Sequence, residues 1–210
     1  MKTRSTPARR LGVRFVAPLV AAAALLLVGC TDESDRLAET YQQGDESGGY
    51  VSGDGRIVQP PADEREAPVA FSGKLDNGGT FDSADALGDV VIVNFWYASC
   101  PPCREEAPDL EALRMQFADD DVTIVGVNVS DDAGTSQAFA KDFGVGYPSI
   151  VDVDDNGVQL AFAEGELRPN SVPTTLVLDR EGRVAARLSG LITSPSVVAD
   201  IVDQLLAEKA

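Results

Sequence analysis

Residues 90–103 read Val90-Val91-Ile92-Val93-Asn94-Phe95-Trp96-Tyr97-Ala98-Ser99-Cys100-Pro101-Pro102-Cys103. The first seven make an almost continuous apolar run, the pattern of a central strand buried on both faces. Two prolines follow Cys100, and proline suits the first turn of a helix. From Pro101 to about Phe117, the residues Ala107, Leu110, Leu113 and Phe117 recur at helical spacing. A buried strand therefore hands over to a helix at a pair of cysteines.

The flanking elements extend this pattern. Val69 to Gly73 and Thr80 to Asp82 read as short strands around the turn Asp76-Asn77-Gly78-Gly79, a hairpin ahead of the central strand. Val122 to Val129 is a second buried strand, and Thr135 to Phe143 a helix stopped near Gly144. A strand at Ser149 to Val151 and a short helix or turn around Leu160 to Ala163 come next. Thr174 to Asp179 and Arg183 to Ser189 form a hairpin around Arg180-Glu181-Gly182, and Ser196 to Glu208 a last helix. This order predicts an α/β fold with a central mixed sheet flanked by helices.

The front of the chain has another character. Lys2, Arg4, Arg9, Arg10 and Arg14 form a basic head without acids, and an apolar run from Phe15 to Val28 follows. That run is short for a membrane-spanning helix, which needs about 20 apolar residues. It has the form of a secretory signal over residues 1–29. Residues 30–66 are rich in Gly, Ser, Asp, Glu and Gln, so they are expected to be a flexible tether ahead of a domain spanning 67–210.

Taking the five basic residues of the head from the chain's 17 leaves 12 against 34 acidic side chains, a net charge of −22. Such a charge argues against nucleic acid and against direct attraction to anionic lipid, and favours a solvated monomer. The chain has no histidine, which excludes a His-dependent triad, His-ligated zinc or haem, and copper sites that need imidazole. Asp152-Val153-Asp154-Asp155-Asn156-Gly157 starts like a calcium loop. The position that needs glutamate is Ala163, so no metal site is assigned.

Three cysteines remain to be explained: Cys30, Cys100 and Cys103. The pair at 100 and 103 is close enough to close a small disulfide ring at a helix start. The positive end of the helix favours a thiolate there. Cys100 is then expected to be the more exposed and to attack a target disulfide, while Cys103 faces inward and resolves the mixed disulfide. Pro101 and Pro102 lack N–H groups, so they withhold donors from the Cys100 sulfur and tilt the pair toward reductant. Trp96, with Phe95, reads first as core, yet its place beside the pair also makes it a candidate contact for a target.

Asn94-Phe95-Trp96-Tyr97-Ala98-Ser99-Cys100-Pro101-Pro102-Cys103-Arg104-Glu105-Glu106-Ala107-Pro108 resembles the TlpA/ResA family of thioredoxin-like proteins. The likeness covers roughly Pro68 to the end. It implies a thioredoxin-like fold and an extracytoplasmic thiol–disulfide oxidoreductase, with a reductant's part in cytochrome c maturation. It implies a proton-transfer role for Glu106, against the plain alternative of a solvated glutamate like Glu105. It also implies a cis-proline loop at Val172-Pro173 that faces the cysteines and, with Pro101 and Pro102, meets an extended target. Pro108 inside the helix matches the family as well. Asn94 stands where cytosolic thioredoxins carry a titrating aspartate, which shifts proton handling to Glu106. Ser99 departs from the family's usual tryptophan.

Leu27-Val28-Gly29-Cys30 is similar to the cleavage box of bacterial lipoproteins, which implies a lipid on Cys30 and anchoring to the cell membrane outside the cytoplasm. The expected partners are a disulfide-bearing exported protein, such as an apocytochrome c, and a membrane thiol-transfer protein as electron donor. No cofactor is expected beyond the Cys100–Cys103 disulfide. Two other readings stand beside this one. A peroxiredoxin-like peroxidase would carry a threonine where this chain has Tyr97. A Cu(I)-binding module would use the two thiolates as ligands.

Overall fold

The computed structural model describes residues 50–51 and 56–208. The signal segment 1–29, Cys30 and most of the tether lie outside the described residues. The strands in chain order are β1 (Tyr50–Val51), β2 (Ile57–Gln59), β3 (Ser72–Lys74), β4 (Thr80–Asp82), β5 (Val90–Trp96), β6 (Val122–Asn128), β7 (Ser149–Val151), β8 (Thr174–Leu178) and β9 (Val184–Ser189). The helices are α1 (Pro101–Gln116), α2 (Ala133–Phe143), α3 (Gly157–Ala161) and α4 (Pro195–Ala207).

Among the described residues the main sheet runs β1-β2-β9-β8-β5-β6-β7, with β5, β6 and β7 parallel and β8, β9 and β2 antiparallel. This is the expected mixed sheet of a thioredoxin-like fold. The hairpin β3–β4 forms a separate two-stranded sheet, with its first strand nearer the turn than the apolar residues suggested.

β5 is buried along its whole length and organises the core by simple alternation. Val90 and Ile92 turn to one face, against Leu110 and Leu113 of α1 and Val198, Ile201 and Leu205 of α4. Val91, Val93 and Phe95 turn to the other, against Phe71, Ile150, Val158 and Phe162. Asn94 and Trp96 share the parity of Ile92, so they lie on the α1 side of the sheet.

The helix starts and stops follow local chemistry. α1 begins with two prolines and runs on through Pro108 to Gln116, as its apolar spacing suggested. Asp132 caps α2 through the Thr135 N–H, and Gly144 ends it with φ +70°, a conformation glycine adopts at no steric cost. α3 sits earlier than the apolar residues 160–163 suggested, because Asp152 draws its amino end: the carboxylate accepts from the N–H groups of Val158 and Gln159. The aspartate that opened the calcium-like motif is thus occupied as a helix cap.

The tether boundary at residue 66 is corrected. Ile57 and Val58 pair with Leu188 and Arg187 of β9, and Tyr50–Val51 pairs with β2. The side chain of Arg65 is buried and bonds Asp179 at 3.0 Å and Glu208 at 2.6 Å and 2.7 Å. A polar composition hid this, because an edge strand needs only a few apolar residues and a buried arginine is tolerated once its charge is matched.

Candidate active site

The site forms where β5 ends and α1 begins. Cys100 is the N-cap of α1, and its sulfur accepts from the Cys103 N–H at 3.2 Å. The two cysteines form a disulfide, with Cα atoms 5.3 Å apart. The prolines between them leave the Cys103 N–H as the donor that reaches this sulfur, as the loss of two N–H groups implies.

Cys100 is 1% exposed and Cys103 2%, which corrects the expectation that the first would be the more open. Both belong to an apolar cluster with Trp96, Ala107 and Phe139, with Tyr97, Ala98 and Val172 packed on it. Helix position alone would have exposed Cys100; the loops from β5 and before β8 cover it.

Trp96 is also corrected as a target contact. Its ring is 5% exposed and lies 4.3 Å from that of Phe139, and its indole N–H donates to Ser149 Oγ at 3.1 Å. Gly126 makes this possible, since a side chain there would run into both Ser149 Oγ and the indole nitrogen. Trp96 is a buried member of the apolar cluster that holds the disulfide.

Glu106 is buried, at 1% exposure. Its Oε1 accepts from Asn94 Nδ2 at 2.8 Å, and its Oε2 from the Ile192 N–H at 3.1 Å. Asn94 Nδ2 also donates to Thr175 Oγ1 at 3.1 Å. Burial pushes the Glu106 carboxyl up to about 7, against the pull of these two hydrogen bonds and with a smaller push from Asp109. Burial, with the nearby charge of Glu106, likewise raises the Tyr147 phenol. Glu105, one residue earlier, is exposed. The reading of Glu106 as a solvated face residue is therefore excluded. A clue lay in the sequence: Glu106 falls within the inward stripe Cys103, Ala107, Leu110, Leu113.

The loop 97–99 is clamped from two sides. The Ala98 N–H donates to Asp131 Oδ2 at 2.6 Å, and Arg104 Nε donates to the Ala98 carbonyl at 2.8 Å. Asp131 is itself held by Asn128 Nδ2 at 3.0 Å. Nothing in the sequence pointed to Asp131, because it lies 33 residues from Ala98.

The Val172–Pro173 bond is cis, as the resemblance implied. Val172 packs against the cysteine cluster. Among the described residues its N–H and carbonyl make no hydrogen bond, although Pro173 O accepts from the Gly190 N–H at 2.8 Å. Pro101 is exposed and Pro102 half-buried, so the rim of the site is formed by prolines and an unpaired peptide edge.

Comparison with known proteins agrees with this geometry. Residues 64–187 match the model of the AhpC/TSA family. The thiol:disulfide interchange protein HelX of Rhodobacter capsulatus is 31% identical over 172 residues, covering 77% of this chain and 92% of that protein. The thiol-disulfide oxidoreductase ResA of Bacillus subtilis is 30% identical over 121 residues, covering 58% of this chain and 64% of ResA, just under two thirds. Among solved structures, a secreted thiol-disulfide isomerase from Corynebacterium glutamicum superposes with a TM-score of 0.64 at 28% identity, covering 77% of this chain and 100% of the other.

Proposed function

Because this chain belongs to the AhpC/TSA family and is a thiol–disulfide oxidoreductase of thioredoxin-like fold, we propose that it reduces disulfides of exported proteins through Cys100 and Cys103. The observation that carries this is the Cys100–Cys103 disulfide at the mouth of α1. In the reduced enzyme the Cys100 thiolate attacks one sulfur of a target disulfide, and the other target sulfur leaves as a thiolate. Cys103, deprotonated, then attacks Cys100 Sγ. The second target sulfur is released and the enzyme disulfide forms. Two electrons pass to the target. The enzyme's two thiol protons balance those taken up by the target's thiolates.

Glu106 takes the Cys103 proton in this scheme. A carboxyl held near 7 exchanges protons at neutral pH, and it sits one helical turn beyond Cys103. The unpaired edge of Val172 pairs with an extended segment of the target, and Pro101 and Pro102 line its path, while Pro173 itself is buried. The electron pair comes from a membrane thiol-transfer protein, since the dithiol needs no further cofactor. The target class includes apocytochrome c, in keeping with the likeness to ResA and HelX.

The proposed location is outside the cytoplasm. Residues 1–29 direct export, and a lipid on Cys30 anchors the chain to the cell membrane as a monomer. No helix among the described residues is long and apolar enough to cross a membrane.

A redox titration of the pair tests the direction. A potential at or below about −250 mV supports a reductant, and one near −120 mV an oxidant. Cys103→Ser should trap a mixed disulfide with a target through Cys100; failure to trap any would count against the route. Rapid peroxide consumption by the reduced chain would favour a peroxidase.

A further inference from the structure

Val172 has a second side. One flank packs against the cysteine cluster, and the other is a wall of a pocket of about 370 Å³. Phe95, Phe162 and Val129 line the pocket, with Gln159 and Arg168 among its polar lining residues. Phe95 reaches it because the last two residues of β5 point to opposite faces: Trp96 packs in the cysteine cluster and Phe95 in the core on the other side. Val172 therefore links the pocket to the cluster that holds the disulfide.

Three observations bear on what fills it. The lining is largely apolar, and Leu160 on α3, the helix beside it, is 66% exposed, so apolar surface continues outward. The unpaired peptide edge of Val172 is positioned to align an extended chain, whose successive side chains point to alternate faces. Arg168 makes no ion pair or hydrogen bond among the described residues, in a chain with 34 acidic side chains. A guanidinium left free in so acidic a chain complements a carboxylate arriving from outside.

We infer that this pocket is a specificity subsite: it receives a large apolar side chain from a residue beside the target's cysteine, while Arg168 holds a carboxylate of the same segment. The inference rests on the thiol-exchange reading above and narrows its target class. The preferred target is an extended, disulfide-bearing segment with an aliphatic or aromatic residue next to the cysteine and an acidic residue close by. Apolar pockets of this kind discriminate by contact area, so phenylalanine or leucine should be preferred over glycine by about tenfold or more.

The test uses the full chain, reduced, with a matched set of disulfide-bonded peptides. These carry Phe, Leu or Gly beside the cysteine, each with a neighbouring Glu or Lys. Wild type should show the apolar preference in kcat/KM and favour Glu over Lys. Ala163→Trp fills the pocket from an exposed position and should collapse the Phe-to-Gly ratio toward one. Arg168→Glu should keep that ratio and reverse the Glu-to-Lys preference. Equal rates for all peptides in the wild type, or an undiminished Phe preference in Ala163→Trp, would overturn the subsite. Exchange with 2-hydroxyethyl disulfide, which has no side chain to place, tests the chemistry separately. Its success with no peptide preference sinks the subsite alone, whereas no exchange with any disulfide sinks both readings.

Discussion

Asn94 Nδ2 donates to Glu106 Oε1 at 2.8 Å, joining the central strand to the helix that carries the cysteines. The two residues lie on facing elements because Asn94 has the strand parity that points to α1 and Glu106 lies on the inward stripe of that helix. The bond supplies a donor to a carboxylate that burial would otherwise leave costly to ionise.

The carboxyl of Glu106 is raised from 4.5 to about 7, so the folded state holds its proton more tightly than the unfolded one. Stability contributed by this group is therefore full below pH 4.5 and declines as pH rises to about 7. The decline amounts to about 3 kcal/mol. Glu106→Gln should lose this component. Denaturant unfolding of both proteins at pH 4.5 and pH 8 measures the difference, and parallel pH dependence would refute the burial argument.

Asn94→Asp should replace the donor facing Glu106 with a second carboxylate. Two acids at hydrogen-bond distance cannot both ionise cheaply, so one must hold a proton and the shared pKa must rise. We expect a loss of about 1–3 kcal/mol at pH 8 that is largely recovered at pH 5. Thermal melts at the two pH values will show it.

Asp131 holds the Ala98 N–H two residues before the nucleophile. Asp131→Ala should slow exchange with a peptide disulfide by about tenfold, as a misplaced reacting group costs rate steeply. Asp131→Asn keeps an accepting oxygen and should restore most of the rate. Stopped-flow kinetics of the three proteins decide the point, and equal rates for Ala and Asn would remove Asp131 from any positioning role.

The side chain of Arg65 is buried between Asp179 and Glu208, and Asp179 is also bonded by Arg183 at 2.7 Å. Arg65→Ala should cost about 3 kcal/mol, the low end for breaking a buried pair, because Arg183 remains on Asp179. Urea unfolding measures this. A neutral result would show that the Arg65 ion pairs do not fasten this segment to the domain.

Much of the fold was legible because its cues are local. The apolar run of β5, the stripe of α1 and the glycine after α2 each report on a few neighbouring residues, and each is found where expected. The cysteine pair at a helix start was legible for the same reason. The strand at Ile57–Gln59 was missed, because two apolar residues in a polar stretch carry little periodicity until β9 is beside them. Trp96 could be read as platform or core; its hydrogen bond to Ser149, 53 residues away, decided for core.

From its sequence alone, then, this protein has the order of its elements from the β3–β4 hairpin onward and its redox pair, since spacing along a chain specifies these directly, while the cis-proline loop followed from the family resemblance. Only the tertiary structure decided that Cys100 is covered, that Glu106 is buried with a raised pKa, and that Asp131 grips the loop before the nucleophile. Burial and capping depend on groups far apart in the chain: the Ile192 N–H that bonds Glu106 is 86 residues from it. Hydrogen bonding and desolvation act through space, and no local pattern encodes which distant group will arrive.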